Sequence, residues 1–357
     1  MKKTILFDMD MGKWVLFFYP IIQRLKKRAN IIITSRGGDD YTELNQILDL
    51  YKLDYISVGQ FGGSTLEGKL QASIDRQIKL MDIINTYKID TVVSGSVVDI
   101  SRVGFGLGKE VINFYDIPLS DCTTNFKKAL PQARLTLPLS SKMFKPFVVP
   151  DEVMLRFGLE GEQIIEYNFI DPLIWLKDFK YDEKYVENIY EKYNIDKNKK
   201  TIIIREEEYK ASYVMKKYPF LYEALAEIYK KFDVNIIIIP RYESDYLKKE
   251  FPFAIVLEEK IFIQQLLKKV DLFIGGGGTI NTEACFLGTP TISTRSFISH
   301  YDKWQIDNGF MIWVDSKENL LEHVGYFLNN NITLNLEKIE NINVEKSILK
   351  IVDEIIK

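Results

Sequence analysis

The chain has 357 residues, 46% hydrophobic and 27% charged, a globular balance that excludes wholesale disorder. Lys and Arg number 47 against 50 Asp and Glu, a formal charge of −3. No basic excess is available to neutralise a phosphate backbone, so nucleic acid is not an expected partner. Two cysteines and two histidines are too few for a disulfide framework or a His-rich metal centre, and no metal site is expected.

The opening MKKTILFDMDMGKW starts with charge but meets Asp8 and Asp10 after a short apolar run, unlike a secretory leader. No run approaches the ~20 apolar residues of a membrane span. A cytoplasmic, two-domain protein is expected. Along the first half, short apolar strands alternate with helices: TILFD (4–8), a helix at 15–28 carrying Leu16, Tyr19, Ile22 and Leu25, and NIIIT (30–34). A helix at 40–52, YISVG (55–59), a helix at 67–87, TVVSG (91–95), a helix at 98–107 and VINFY (111–115) follow. Continuous apolar strands separated by helices indicate a parallel sheet covered on both faces, the doubly wound α/β plan.

Between 122 and 150 lie Lys127, Lys128, Arg134, Lys142 and Lys145, interleaved with Phe126, Leu130, Met143, Phe144 and Phe147. Such a patch would suit an anionic lipid surface, making this a peripheral, inner-face membrane contact. Against that, its prolines spoil a long amphipathic helix, and FVVP (147–150) reads as a buried strand. After a charged helix, the alternation restarts. TIIIRE (201–206), VNIIIIP (234–240), AIVLE (254–258), VDLFIG (270–275) and TIST (291–294) are strands. Helices fall at 219–232, 261–269, 279–287 and 317–328, the last capped by Ser316. The expected domains are 1–170 and 171–334, with a helical tail at 335–357 that can cross back to the first.

The most informative stretch is VDLFIGGGGTINTEACFLGTPTIST (270–294). A buried strand ends in four glycines, Gly275 to Gly278, and a helix begins at once beside Thr279. Glycine lets the backbone approach a ligand closely, and a fresh helix end offers unpaired N–H groups and a positive dipole. Glu283, one turn after Thr279, can accept hydrogen bonds from a ribose diol. No lysine follows the glycines, so this is not a Walker loop. The competing reading is a glycine-rich turn that only permits close helix–strand packing.

GGGGTINTEACFLGTPTIS resembles the nucleotide-binding element of GT-B-fold proteins, among them the UDP-N-acetylglucosamine 2-epimerases and the lipid II glycosyltransferase of murein synthesis. With ILFDMDMGKWVLFFYPIIQRLKKR, IIITSRGGDDYTELNQILDLYKLDYISVGQFGG, DTVVSGS and VNIIIIPR, residues 1–330 resemble an archaeal and bacterial GT-B-like family. The resemblance implies two Rossmann-type domains facing across a cleft, with a nucleotide-sugar donor, UDP-linked, on the second and an acceptor on the first. By position, Gly276, Gly277, Gly278 and Thr279 would seat the diphosphate, and Glu283 would hold the ribose. Arg205 and Arg241, at strand ends, would neutralise phosphate charge, and Glu259 to Phe262 would lie near the base. No cofactor beyond the nucleotide sugar is implied.

The departures are as informative. A DNPPH-like loop of the relatives becomes Asp10-Met11-Gly12-Lys13-Trp14, without histidine, and an HGD string becomes Ser94-Gly95-Ser96, without the acid. REEEYKASY (205–213) lacks a helix-capping histidine. These absences weigh against 2-epimerisation. Asp10 and Asp116 sit at strand ends, where either could deprotonate an acceptor hydroxyl or simply cap its loop. Lys13 and Arg36 share that rim, where they could hold an anionic acceptor, alongside Ser96. ILFDMD resembles the nucleophile motif of haloacid-dehalogenase phosphatases, but Met11 displaces the Gly pair and no later GDxxxD follows. The expectation is a metal-independent GT-B glycosyltransferase acting on a glycan or lipid-linked acceptor. A UDP-HexNAc 2-epimerase or hydrolase, or a non-catalytic nucleotide-sugar binder, is the alternative.

Overall fold

The computed structural model describes residues 2–37, 43–60, 62–63, 65–207, 220–240, 244–259, 261–330 and 332–357. The chain divides into two compact units, one of residues 1–175 with 342–357, the other of residues 176–341.

In the first unit the chain runs β1 (Thr4–Met9), α1 (Gly12–Leu25), β2 (Asn30–Ser35), α2 (Glu43–Leu50), β3 (Ile56–Ser57), α3 (Leu66–Thr86) and β4 (Thr91–Ser94). It continues through α4 (Val98–Gly106), β5 (Glu110–Phe114), α5 (Pro131–Thr136), β6 (Lys142–Pro146), α6 (Asp151–Leu155) and β7 (Ile164–Tyr167), and α7 (Leu173–Leu176) closes it. The strands form a seven-stranded sheet in the order β3-β2-β1-β4-β5-β6-β7, every pairing parallel. The order reverses direction between β1 and β4, which marks the crevice where open α/β sheets bind ligands.

Three expectations are corrected here. Helix α1 begins at Gly12 rather than 15, and its buried side is Trp14, Val15, Phe17, Phe18, Ile21, Ile22 and Leu25, leaving Leu16 and Tyr19 only partly covered. Its aromatic rings dominate the core: Phe17 and Phe18 lie edge-on to Phe114, which stacks on Phe144 at 4.5 Å. The strand near 147–150 is instead β6, Lys142–Pro146, with Phe147 to Val149 in the turn that follows. A lysine inside it, Lys145, is buried because Glu166 and Asp151 pair with it at 2.7 and 2.8 Å. Of the expected lipid-facing patch, Met143, Phe144, Lys142 and Lys145 therefore belong to the sheet, while Lys127, Lys128 and Arg134 stay exposed. Among the described residues no helix is long and apolar enough to cross a membrane.

The second unit runs α8 (Glu183–Lys192), β8 (Lys200–Arg205), α9 (Phe220–Lys231), β9 (Val234–Ile239), α10 (Asp245–Glu250), β10 (Ile255–Val256) and α11 (Ile263–Lys269). It ends with β11 (Leu272–Gly275), α12 (Gly278–Phe286), β12 (Thr291–Ser293), α13 (His300–Asp307), β13 (Ile312–Trp313), α14 (Lys317–Asn329) and α15 (Glu337–Glu340). Its sheet order, β10-β9-β8-β11-β12-β13, is all parallel and reverses between β8 and β11. Ile202, Ile204, Ile236, Ile238, Leu272 and Ile274 supply a buried aliphatic face against α9 and α14. Ser316 caps α14 by accepting from Asn319 N.

The tail splits: α15 stays with the second unit, and α16 (Val344–Ile356) belongs to the first. Val344, Ile348, Ile351, Val352 and Ile355 are its buried side. Two ion pairs and a hydrogen bond fix it: Arg24 grips Glu345 through Nε at 3.1 Å and Nη2 at 2.7 Å, Arg28 meets Asp353 at 2.6 Å, and Lys3 Nζ donates to Ile355 O. The Arg24 pair is bidentate, the geometry in which an exposed ion pair contributes most.

Candidate nucleotide and acceptor sites

In the second unit, β11 carries its apolar run LFIG into the glycines and α12 starts at Gly278. Gly277 is the N-cap and supplies no side-chain cap, so the first-turn N–H groups keep the anion-binding character of a helix end. Gly276 N donates to Arg205 O, which ties the turn to the end of β8. A Cβ at Gly276 would fall 2.8 Å from the backbone of Glu207, so this residue is glycine because another loop's main chain lies against it.

Two groups beyond the sequence expectation complete this corner. Arg295, just past β12, is buried and lies so close to the helix start that a Cβ at Gly278 would sit 2.8 Å from its Nη1. Asp302 holds it at 2.8 Å, and Phe297 lies flat against it at 4.1 Å. Glu207 accepts from Ser296 N and Oγ, and burial raises its pKa against those bonds. The legible signal was the string Ser299-His300-Tyr301-Asp302: Ser299 and Asp302 form a reciprocal capping box on α13, which places the carboxylate that holds Arg295.

Among the expected nucleotide ligands, Thr279 is partly exposed in the first turn of α12. Glu283 is buried one turn on and accepts from Gln264 Nε2 at 2.8 Å, so a second side chain orients the carboxylate. Arg205 is buried and donates from Nη1 to Pro240 O at 3.1 Å. Arg241, like Lys260 near the expected base segment, lies outside the described residues.

The rim of the first sheet is built from charge. Asp8, fully buried at the end of β1, accepts from Thr34 Oγ1 and from both Nη atoms of Arg76 at 2.5 and 3.0 Å. Arg76, on α3 and itself buried, also donates from Nε to Val58 O and reaches Asp99 on α4 at 3.3 Å. Asp99 accepts further from Ser73 Oγ and from Arg36 Nη2 at 2.8 Å. Asp10, one residue past β1, faces the same charges. Burial lifts its pKa to about 6, with Arg36 pulling it down and Asp8 pushing it up. Its Oδ1 is buried and accepts no hydrogen bond among the described residues.

Lys13, in the first turn of α1, joins Asp116 at 2.5 Å and Asp171 at 2.8 Å, and Tyr167 OH donates to Asp171 at 2.6 Å. Burial works against the Lys13 ammonium, but the two carboxylates outweigh it and raise its pKa. Burial and the Asp171 charge push the Tyr167 hydroxyl well above its usual value. Both cations expected to meet an anionic acceptor are thus already engaged by carboxylates. Asp116 is likewise pinned in an ion pair, while Asp10 keeps a buried oxygen without a partner among the described residues.

Between these groups, Trp14 lies over Gly95: a Cβ there would fall 1.7 Å from the indole. Ser96 takes a left-handed φ of 59° and its Oγ donates to Phe114 O. Such a conformation in a non-glycine residue costs energy and recurs where loops serve ligands.

Solved structures share this fold. The UDP-GlcNAc 2-epimerase of Methanocaldococcus jannaschii, in complex with UDP-GlcNAc and UDP, matches with a TM-score of 0.76 and 20% identity over 98% of this chain and 99% of that one. The UDP-GlcNAc 2-epimerase of Neisseria meningitidis, bound to UDP-GlcNAc, gives 0.75 and 17% over 98% and 99%. A glycosyltransferase of Rickettsia africae gives 0.63 and 17% over 100% and 99%. At such identities the likeness establishes the GT-B type of fold alone. An uncharacterized protein of Methanocaldococcus jannaschii is 27% identical over 320 residues, 89% of each sequence. The family described as "Protein of unknown function (DUF354)" matches residues 3–357, and the chain belongs to it.

Proposed function

We propose that this protein is a glycosyltransferase that takes a sugar from a UDP-linked hexose or N-acetylhexosamine and passes it to a hydroxyl of a glycan or lipid-linked acceptor. The observation that carries the reading is the corner where β11 meets α12, with uncapped helix N–H groups, Arg295 against Gly278, and a buried, oriented Glu283. A diphosphate leaving group develops negative charge as the glycosidic bond breaks, and a helix end plus a fixed guanidinium stabilise that charge without reorganising. Glu283 would accept from the ribose hydroxyls. Neighbours of the same fold bound to UDP-GlcNAc support the choice of nucleotide.

On the acceptor side, Asp10 is the better base. A carboxylate poised near neutrality, with an oxygen that accepts no hydrogen bond among the described residues, can take a proton, whereas Asp116 is held by Lys13. The missing histidines at 10–14 and 94–96 favour transfer over 2-epimerisation. Exposed Lys127, Lys128 and Arg134 would give a weak electrostatic contact with an anionic membrane when the acceptor is lipid-borne.

Incubation with UDP-GlcNAc alone separates the readings. A transferase leaves the donor essentially intact until an acceptor is supplied, a 2-epimerase of the hydrolysing kind releases UDP and ManNAc, and a binder never turns over. Glu283→Ala is expected to weaken UDP binding about tenfold by calorimetry, about 1.4 kcal/mol. Unchanged affinity would remove the ribose assignment.

A further inference from the structure

Helix α3 spans 21 residues and is firmly begun: Thr65 accepts from Gly68 N, and Glu67 sits in the first turn. Its inner side buries Arg76, Leu80 and Ile84. Its outer side breaks the amphipathic rule, because Leu66, Leu70, Ile74 and Ile78 follow each other at four-residue steps and are 86%, 63%, 44% and 54% exposed. Met81 extends the row at 39% exposure. Isolated surface leucines need no explanation, but five large apolar residues aligned on one ridge do. Together they leave roughly 500 Å² of apolar side chain in water, near the upper limit for a monomer.

We propose that this ridge is the interface of a homodimer, α3 packing on α3 of a second copy across a two-fold axis near Ile74. The shape fits: a row at four-residue spacing is the ridge that packs into the matching groove of an identical helix, with axes crossing at about −50°. The area fits as well. Counting both copies, the five side chains alone bury roughly 1,000 Å², the threshold for a specific interface, before their surroundings are added. The charges agree, since the ridge from Leu70 to Ile78 is uncharged and its borders mix signs: Glu67, Asp75 and Asp82 with Lys69 and Lys79. A self-facing surface with a single-sign fringe would repel its copy; this one does not.

The test is solution mass by light scattering at micromolar concentration, and it is independent of the sugar-transfer reading. The wild-type chain is expected at twice its 41.6 kDa. Leu70→Glu with Ile74→Glu is expected at the single-chain mass, with an unchanged circular dichroism spectrum and UDP affinity. Ile74→Cys is expected to form a covalent dimer on mild oxidation, whereas Leu135→Cys, on another surface and more exposed than Ile74, does not. A monomeric wild type, or a dimer that survives the double substitution, overturns the proposal. A monomer that sediments with anionic vesicles through this ridge would assign it to lipid and overturn it too.

Discussion

The two sheets share a strand order that reverses at the same place, after β1 in one and after β8 in the other, yet the two rims hold opposite materials. At the first rim five carboxylates, Asp8, Asp10, Asp99, Asp116 and Asp171, meet three cations, Arg36, Arg76 and Lys13, and an indole fills the gap above Gly95. At the second, the turn is main chain, and among the described residues Arg295 lies against the helix start. Topology places a site; the residues at the strand ends decide what it attracts. A rim with surplus carboxylate suits proton transfer and neutral hydroxyls, whereas a glycine turn with a helix dipole suits a diphosphate.

The sharpest way to break this contrast is to remove the cation that makes the first rim possible. Arg76→Ala leaves Asp8 and part of Asp99 buried without their counter-charge, and such a loss costs about 3–5 kcal/mol. Urea unfolding should show it as a lowered midpoint, and Asp8→Asn in the same chain should restore part of the loss. A cost under about 1 kcal/mol would mean that the rim is not organised by ion pairing.

Next in size is Gly95→Ala. The new Cβ meets Trp14 at 1.7–2.3 Å, so the indole must move, at a cost of about 1–3 kcal/mol. Trp14→Leu in the Gly95→Ala background should recover stability, and additive losses would refute the contact. Gly276→Ala is the counterpart on the second rim. There a backbone segment obstructs the Cβ, and UDP binding should fall alongside stability, whereas Gly95→Ala should leave UDP binding untouched.

How far this contrast could be read from residues alone follows from how local each feature is. The glycine run and Glu283 were legible because strand end, turn and helix start are contiguous in 272–283. The inner strands were legible as unbroken aliphatic runs. β6 was not, because KMFKP hides a buried lysine whose partners, Asp151 and Glu166, come later in the chain. Arg76 carried no local signal within the helix at 67–87, because its partner Asp8 lies 68 positions away. Arg295 escaped because nothing in Thr-Arg-Ser-Phe shows that its guanidinium folds back onto Gly278. Lys13 and Arg36 were legible as rim cations, but not as already neutralised ones.

The smallest effect sharpens the comparison through pH. The native Asp10 carboxyl holds its proton to about pH 6, while in the unfolded chain it releases it near 3.9. Between those values the native state binds more protons than the unfolded one, so the Asp10 contribution makes stability fall as pH rises through about 4 to 6 and level off above. Asp10→Asn removes that slope. Its unfolding free energy should exceed the wild type's by about 1–2 kcal/mol at pH 7, allowing for solvent screening, with no such gain at pH 4. Glu207 on the second rim shifts in the same direction, but Ser296 donates two hydrogen bonds that favour its charged form. Glu207→Gln should therefore remove a slope of the same sign and smaller size. Equal slopes at the two positions would mean that burial alone sets both carboxyls, and the distinct chemistry assigned to the first rim would lose its main support.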